Sequence, residues 1–177
     1  MPVFTPVFFD CEASDFDGYI IEVGWAFAPP GGGDIVTAEH LVRPSPKWRI
    51  RDAWSSRAEK LHGISLVHLR EHGRPAEIVA GLINDELAGR ELYSDDPTYD
   101  GRWLDQLFQA AAVKPAFGVS STPVRILLEN LARERNFDPV QLQRAWNEAR
   151  RNRRHRADAA ALVYAQLWSR IIENTGG

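Results

Sequence analysis

Residues 19–42 constrain the fold of this 177-residue chain more than any other feature. Two segments rich in β-branched and aromatic residues, 19–28 and 35–42, flank APPGGGD, a turn-forming cluster of Pro, Gly and Asp. A short connection favours antiparallel pairing, because parallel strands need a much longer crossover. A shorter apolar segment, residues 7–12, precedes them. Together the three segments predict an antiparallel meander at the start of the chain.

The remainder of the chain has mainly helical patterns. Ser55 or Ser56 is a candidate helix cap, and ELYS at residues 91–94 predicts a fourth short strand. Apolar residues recur at helical spacing over residues 76–87, 103–112, 124–134, 140–150 and 157–172. This order predicts an α/β fold. No repeat or linker divides the chain, so we expect a single domain over residues 1–177.

Composition excludes several classes of protein. With 44% hydrophobic residues, the chain is long enough to bury a core without disulfides or a structural metal. Cys11 is the only cysteine, so no intrachain disulfide can form, and we expect a reducing, cytoplasmic compartment. No apolar run approaches the roughly 18 residues that span a membrane. The net charge of −3 argues against non-specific coating of nucleic acid.

The first strand carries a candidate metal site. Alternation places Asp10 and Glu12 on one face and Cys11, treated as a small apolar residue, on the other. Two carboxylates this close repel unless one is protonated or a cation lies between them, and hard oxygen ligands suit Mg²⁺ or Mn²⁺. A calcium-binding EF-hand is excluded, because Asp15 stands where that loop needs Gly.

Further motifs accompany this acidic pair. FFDCE is followed by IIEVG (residues 20–24), HGIS (residues 62–65), YSDDPTYDGRWL (residues 93–104) and HRADAAALVYAQLW (residues 155–168). In these motifs the sequence resembles the DEDD superfamily of 3′-to-5′ exonucleases, in its DEDDh group. The resemblance implies an RNase H-like mixed sheet, with three antiparallel strands and then parallel ones, flanked by helices.

The resemblance also implies roles for individual residues. Asp10, Glu12, Asp100 and Asp158 take the places of the metal ligands, and His155 takes that of the general base. The cofactor would be two Mg²⁺ or Mn²⁺ ions in each active site, which activate water and stabilise the leaving oxygen.

The motifs depart from the family pattern at two points. Asp95 and Asp96 replace a usual His-Asn pair, and either is a reserve ligand if Asp100 points away. His155 and Asp158 are separated by two residues, where the family usually has four. If both lie on helix, this spacing places them on one face.

Basic and aromatic residues supply candidate contacts to nucleic acid. Residues 144–156 hold six Arg and one Glu, and Arg154 and Arg156 flank His155 as candidate phosphate ligands. His62 joins them as a candidate nucleic-acid contact, although it is expected to order the HGIS turn rather than bind metal. Trp48 and Trp54 lie in a basic segment and are candidate interface residues.

The sequence therefore predicts a metal-dependent 3′-to-5′ exonuclease acting on single-stranded RNA or DNA, with no membrane association. Small stand-alone relatives are frequently dimers and the apolar final helix could form such a contact, but the sequence leaves both a homodimer and a monomer open. Two alternatives stay open: a catalytically impaired module that binds nucleic acid or protein on the same fold, and a hydrolase of small nucleotides.

Overall fold

The computed structural model describes residues 5–151 and 155–173, except the side chains of residues 149–151. Its strands and helices lie close to the predicted segments, and two short helices follow Ser55. In chain order they are β1 (Val7–Ala13), β2 (Ile20–Phe27), β3 (Val36–Leu41), α1 (Ser56–His62), α2 (Leu66–His72), α3 (Ala76–Leu87), β4 (Glu91–Tyr93), α4 (Pro97–Ala111), β5 (Gly118–Val119), α5 (Val124–Glu134), α6 (Pro139–Arg151) and α7 (Ala157–Glu173).

The strands form one mixed sheet in the order β3-β2-β1-β4-β5. The first three are antiparallel neighbours, whereas β4 is parallel to β1 and β5 is parallel to β4. This α/β arrangement confirms the predicted fold class. Because β4 runs parallel to β1, the carboxyl ends of both strands and the start of α4 meet at one end of the sheet.

The two faces of β1 are buried against different helices. Val7, Phe9 and Cys11 belong to a core with residues of α3 and α4, which confirms Cys11 as a small buried residue. Phe8 lies on the opposite face and packs on Tyr164 and Trp168 of α7. Since side chains alternate along a strand, Asp10 and Glu12 lie on the same face as Phe8. The site therefore lies beside α7.

Two details differ from the expected pattern. Strand β5 lies within residues 114–123, which the sequence predicts as a loop; its two residues are both exposed and carry no alternation. Helix α4 begins at Pro97, six residues before the apolar spacing starts, because Asp96 caps it and Pro97 suits the first helical position. None of the helices in the described ranges is long and apolar enough to cross a membrane.

Candidate active site

Asp100 is held against β1 by the start of α4. The side chain of Asp96 accepts a hydrogen bond from Tyr99 N at 3.3 Å, which places Asp100 in the first helical turn. Asp100 is only 3% exposed, and its Oδ1 accepts the backbone N–H of Cys11 at 3.2 Å. The cap on α4 thus places the Asp100 carboxylate against β1, the strand that carries Asp10.

Burial and charge repulsion disfavour the simultaneous ionisation of Asp10 and Asp100. Asp10 is 5% exposed, so it lies in the same poorly solvated region as Asp100. Burial raises the pKa of Asp100 well above its ordinary value, and the charge of Asp10 raises this pKa further. A cation between the two would relieve both effects.

These carboxylates line a cavity of about 340 Å³ at the carboxyl ends of β1 and β4, which we call the acidic cavity. His155 also lines it, as do Asp95 and Asp96, the two reserve ligands. Its remaining lining residues are Cys11, Glu12 and the apolar or aromatic residues Phe16, Leu61, Tyr99 and Trp103. Asp10, Glu12, Asp100 and His155 are thus brought together in one cavity.

A fully buried glutamate fixes the start of α7. Glu22 is 0% exposed, and its carboxylate accepts Arg156 Nε at 2.8 and 3.1 Å and Ala157 N at 3.0 Å. Arg156 Nη2 also contacts Glu39 Oε2 at 3.1 Å. A carboxylate at a helix N-terminus satisfies an otherwise unpaired N–H and opposes the helix dipole. Glu22 therefore anchors α7 directly after His155.

This anchor places His155 before α7 and Asp158 in the first turn of that helix. Helix α7 begins at Ala157, so His155 precedes it, and the condition for a shared helical face, that both residues lie on helix, is not met. Asp158 does not line the acidic cavity. It lies near Glu39, whose pKa is raised by burial and by the charge of Asp158. The structure thus places His155 at the acidic cavity, and Asp158 in the first turn of α7, between Gly24 of β2 and Glu39 of β3.

The predicted nucleic-acid contacts lie in three different settings. Arg156 forms ion pairs with Glu22 and Glu39, so its guanidinium group is already paired with carboxylates. His62 is buried, and its Nδ1 accepts Ile64 N at 3.0 Å, so it orders the HGIS turn as expected. Its Nε2 has no hydrogen-bond partner within the described chain. Arg154 lies outside the described residues.

The donors at the acidic cavity suit a hard divalent cation. They are carboxylate oxygens with a single imidazole, and two of them, Asp10 and Asp100, are buried carboxylates whose negative charges repel each other. Within the described residues, however, no group of three or more His, Cys, Asp or Glu side chains is arranged as a metal site. The donor chemistry therefore fits Mg²⁺ or Mn²⁺, while the number of ions stays a prediction.

Sequence reasoning missed the role of Glu22 and the two exposed apolar residues at the acidic cavity. The signal for Glu22 is its position inside the apolar run IIEVG. A carboxylate in such a run is expected to be buried, and a buried carboxylate needs a partner. Phe16 and Leu61 are 59% and 55% exposed, and both lie outside any periodic segment that would identify them.

Comparison with known proteins places the fold. No protein-family model matches the sequence, and no curated protein matches it. Solved structures of exonuclease I are similar. The zinc-bound complex of the E. coli enzyme with single-stranded DNA has 14% identity and a TM-score of 0.65 over 97% of this chain. Its complex with a 5cy-dA13 oligonucleotide has 13% identity and a TM-score of 0.63 over the same share.

A moderately thermophilic exonuclease I from Methylocaldum szegediense has 14% identity and a TM-score of 0.52 over 73% of this chain and 29% of its own. This chain spans 40% of the length of both E. coli structures. At such identities the likeness concerns the fold, which is the RNase H-like α/β fold of the exonuclease I structures.

Proposed function

We propose that this chain is a metal-dependent 3′-to-5′ exonuclease that hydrolyses single-stranded RNA or DNA. One observation carries the proposal: Asp10, Glu12, Asp100 and His155 line a single cavity at the carboxyl ends of β1 and β4. The fold shared with exonuclease I adds support, because E. coli exonuclease I has been solved in complex with single-stranded DNA.

The carboxylates bind the cofactor in this proposal. Asp10, Glu12 and Asp100 would hold Mg²⁺ or Mn²⁺, which neutralises charge on the phosphate oxygens and activates water. Without a cation the same carboxylates repel a phosphodiester, so substrate binding and metal binding are coupled. Asp158 would join a second ion only if its side chain turned from Glu39 toward the acidic cavity.

His155 is the proposed general base. It is half-buried at the acidic cavity, and a neutral imidazole nitrogen can accept a proton from the attacking water. The phosphorus then gains a bond to that water oxygen and loses its bond to the leaving oxygen. Phe16 and Leu61 offer exposed apolar surface at the same cavity, which suits contact with the terminal base.

A nuclease assay with matched RNA and DNA oligomers, labelled at the 5′ end, tests the proposal. Successive shortening from the 3′ end is expected only with Mg²⁺ or Mn²⁺. Asp10→Asn should reduce the rate at least about 1000-fold, whereas Asp105→Asn, an exposed change on α4, should leave it unchanged. Metal-independent hydrolysis, or full activity in Asp10→Asn, would overturn the proposal.

A second candidate function is a binding module without catalysis on the same fold. The position of Asp158 favours it, because its carboxylate interacts with Glu39 and is not among the residues that line the acidic cavity. This candidate predicts binding of single strands with no shortening at any metal concentration, so the same assay combined with a binding measurement separates the two.

A further inference from the structure

A second cavity, of about 420 Å³, lies after the carboxyl end of β3 and is rich in arginine. We call it the basic cavity. Its charged lining residues are Arg43, Arg49, Arg51, Arg70 and Asp52, and Trp48 supplies an aromatic wall. Neither the candidate catalytic residues nor the predicted basic strip at residues 144–156 contributes to it.

The walls of the basic cavity are anchored by backbone contacts. Arg43 N donates to Arg74 O at 2.8 Å, which ties the end of β3 to the segment after α2. A Cβ on Gly73 would lie 2.8 Å from Arg43 N, so only glycine allows this close approach. Arg70 is in the last turn of α2, and the contact at Gly73 brings that turn beside Arg43.

Most of the positive charge in the basic cavity is uncompensated. Arg49 pairs with Asp52 at 2.7 Å, but both side chains are largely exposed, and such pairs are weak. Arg43, Arg51 and Arg70 form no ion pair with any carboxylate in the described part of the chain. Three exposed guanidinium groups around one concave surface form a site for phosphate oxygens, which arginine binds with paired N–H donors.

The basic cavity and the acidic cavity lie at the same end of the sheet. The carboxyl ends of β1 and β3 meet there, with only β2 between them. The loop between β1 and β2 joins the two: Phe16 lines the acidic cavity, and Tyr19 stacks on Trp48 with ring centroids 5.0 Å apart. The Cα atoms of Phe16 and Tyr19 are at most about 10 Å apart, because they are three residues apart in the chain, so this loop links the walls of the two cavities.

We propose that the basic cavity binds backbone phosphates of the single strand whose 3′-terminal nucleotide occupies the acidic cavity. It would be a second binding site on the 5′ side of the scissile bond, with Trp48 available for base stacking. This inference rests on the proposed exonuclease function. A dinucleotide has a single phosphodiester, and this group must lie in the acidic cavity when it is hydrolysed. No phosphate is then left to contact the basic cavity, so dinucleotide hydrolysis should not depend on that cavity.

The test combines binding and hydrolysis in the full chain with Arg51→Gln and Arg70→Gln introduced together. Binding of an oligothymidylate of about 12 nucleotides is measured against salt concentration in an Asp10→Asn background, where the strand stays intact. Arg133→Gln, an exposed change on α5, is the matched control. Circular dichroism verifies that each variant is folded.

Removing both arginines should weaken oligomer binding about tenfold and reduce the slope of log K against log salt by about 1.4, since each phosphate contact contributes about 0.7. With Asp10 restored, hydrolysis of the oligomer should slow while that of a dinucleotide stays unchanged. Affinity and salt slope equal to those of Arg133→Gln would overturn the inference.

The two proposals fail separately. If the wild-type chain hydrolyses no oligomer but the double variant still loses affinity, the exonuclease function is wrong and the basic cavity stands as a strand-binding site. If hydrolysis occurs and the double variant slows dinucleotide and oligomer equally, the exonuclease function stands and the basic cavity has no role in binding the strand.

Discussion

Gly24 lies directly opposite Asp10 in the antiparallel pairing of β1 with β2. Paired residues project to the same face, so the space beside the Asp10 carboxylate is the space that a side chain at Gly24 would occupy. The first turn of α7 fills it: a Cβ on Gly24 would lie 2.6 Å from the carbonyl carbon of Ala157. The missing side chain is what allows α7 and the preceding His155 to approach Asp10.

Gly24→Ala should therefore displace the start of α7. We expect a loss of about 1–3 kcal/mol in the free energy of unfolding, as for other overpacked sites, and a large loss of nuclease activity. Gly81→Ala is the matched control, because it lies in α3 with open space around its Cβ position. It should gain about 0.5–1 kcal/mol with no change in activity. Urea unfolding of both variants measures the contrast.

Asp100→Asn should make the metal-free protein more stable while removing activity. Burial and the charge of Asp10 raise the pKa of Asp100, so the ionised carboxylate opposes folding at neutral pH. Asn is close in shape and keeps an oxygen to accept the Cys11 N–H. Each kcal/mol of relieved repulsion should raise the melting temperature by about 2–4 °C in a chain of this size.

The pH dependence provides the check on this variant. A raised pKa means that the contribution of Asp100 to stability is fully present below its ordinary value of 3.8 and is lost as pH rises through the folded-state pKa. Melting curves in chelator from acidic to neutral pH should show this loss in the wild type and a smaller one in Asp100→Asn. An Asp100→Asn protein less stable than wild type at pH 7 would contradict the account.

Mutation of Arg156 should lower the free energy of unfolding more than mutation of Glu22. Arg156→Gln leaves the fully buried carboxylate of Glu22 with only the Ala157 N–H, whereas Glu22→Gln leaves an arginine whose side chain is 34% exposed and still contacts Glu39. An uncompensated buried charge costs about 3–5 kcal/mol, and a partly solvated one costs less. Denaturant unfolding should thus find Arg156→Gln the less stable variant. Equal losses would mean that Glu22 is better solvated than its 0% exposure indicates.

The antiparallel strands and most of the helices could be predicted because their sequence signals involve only residues that are near each other along the chain. The turn cluster before Asp34 predicts the antiparallel start, and apolar spacing predicts α3 and α5 at their observed bounds. These signals need only neighbours along the chain. The acidic pair on β1 is equally local, since alternation alone places both residues on one face.

The position of Asp158 could not be predicted, because it depends on contacts between distant segments. Glu22 lies 135 residues before Ala157, whose N–H it accepts, and this bond determines where α7 begins. Residue spacing within the last motif contains no information about that bond. The same holds for the basic cavity, which forms only where Gly73 brings α2 against the end of β3.

His62 should give the protein a stability that declines in mild acid. Burial lowers its pKa below the ordinary value of 6.5, so the folded protein takes up a proton less readily than the unfolded chain. The contribution is present above pH 6.5 and is lost as pH falls through the lowered pKa. His62→Asn keeps an acceptor for the Ile64 N–H and removes the titration.

The free energy of unfolding, measured at pH 7, 6 and 5, should fall less steeply with pH in His62→Asn than in wild type. The two slopes should differ by at most about 1.4 kcal/mol per pH unit. His68→Asn, an exposed change on α2, is the control and should retain the wild-type slope. Identical slopes in all three proteins would exclude His62 as the titrating group.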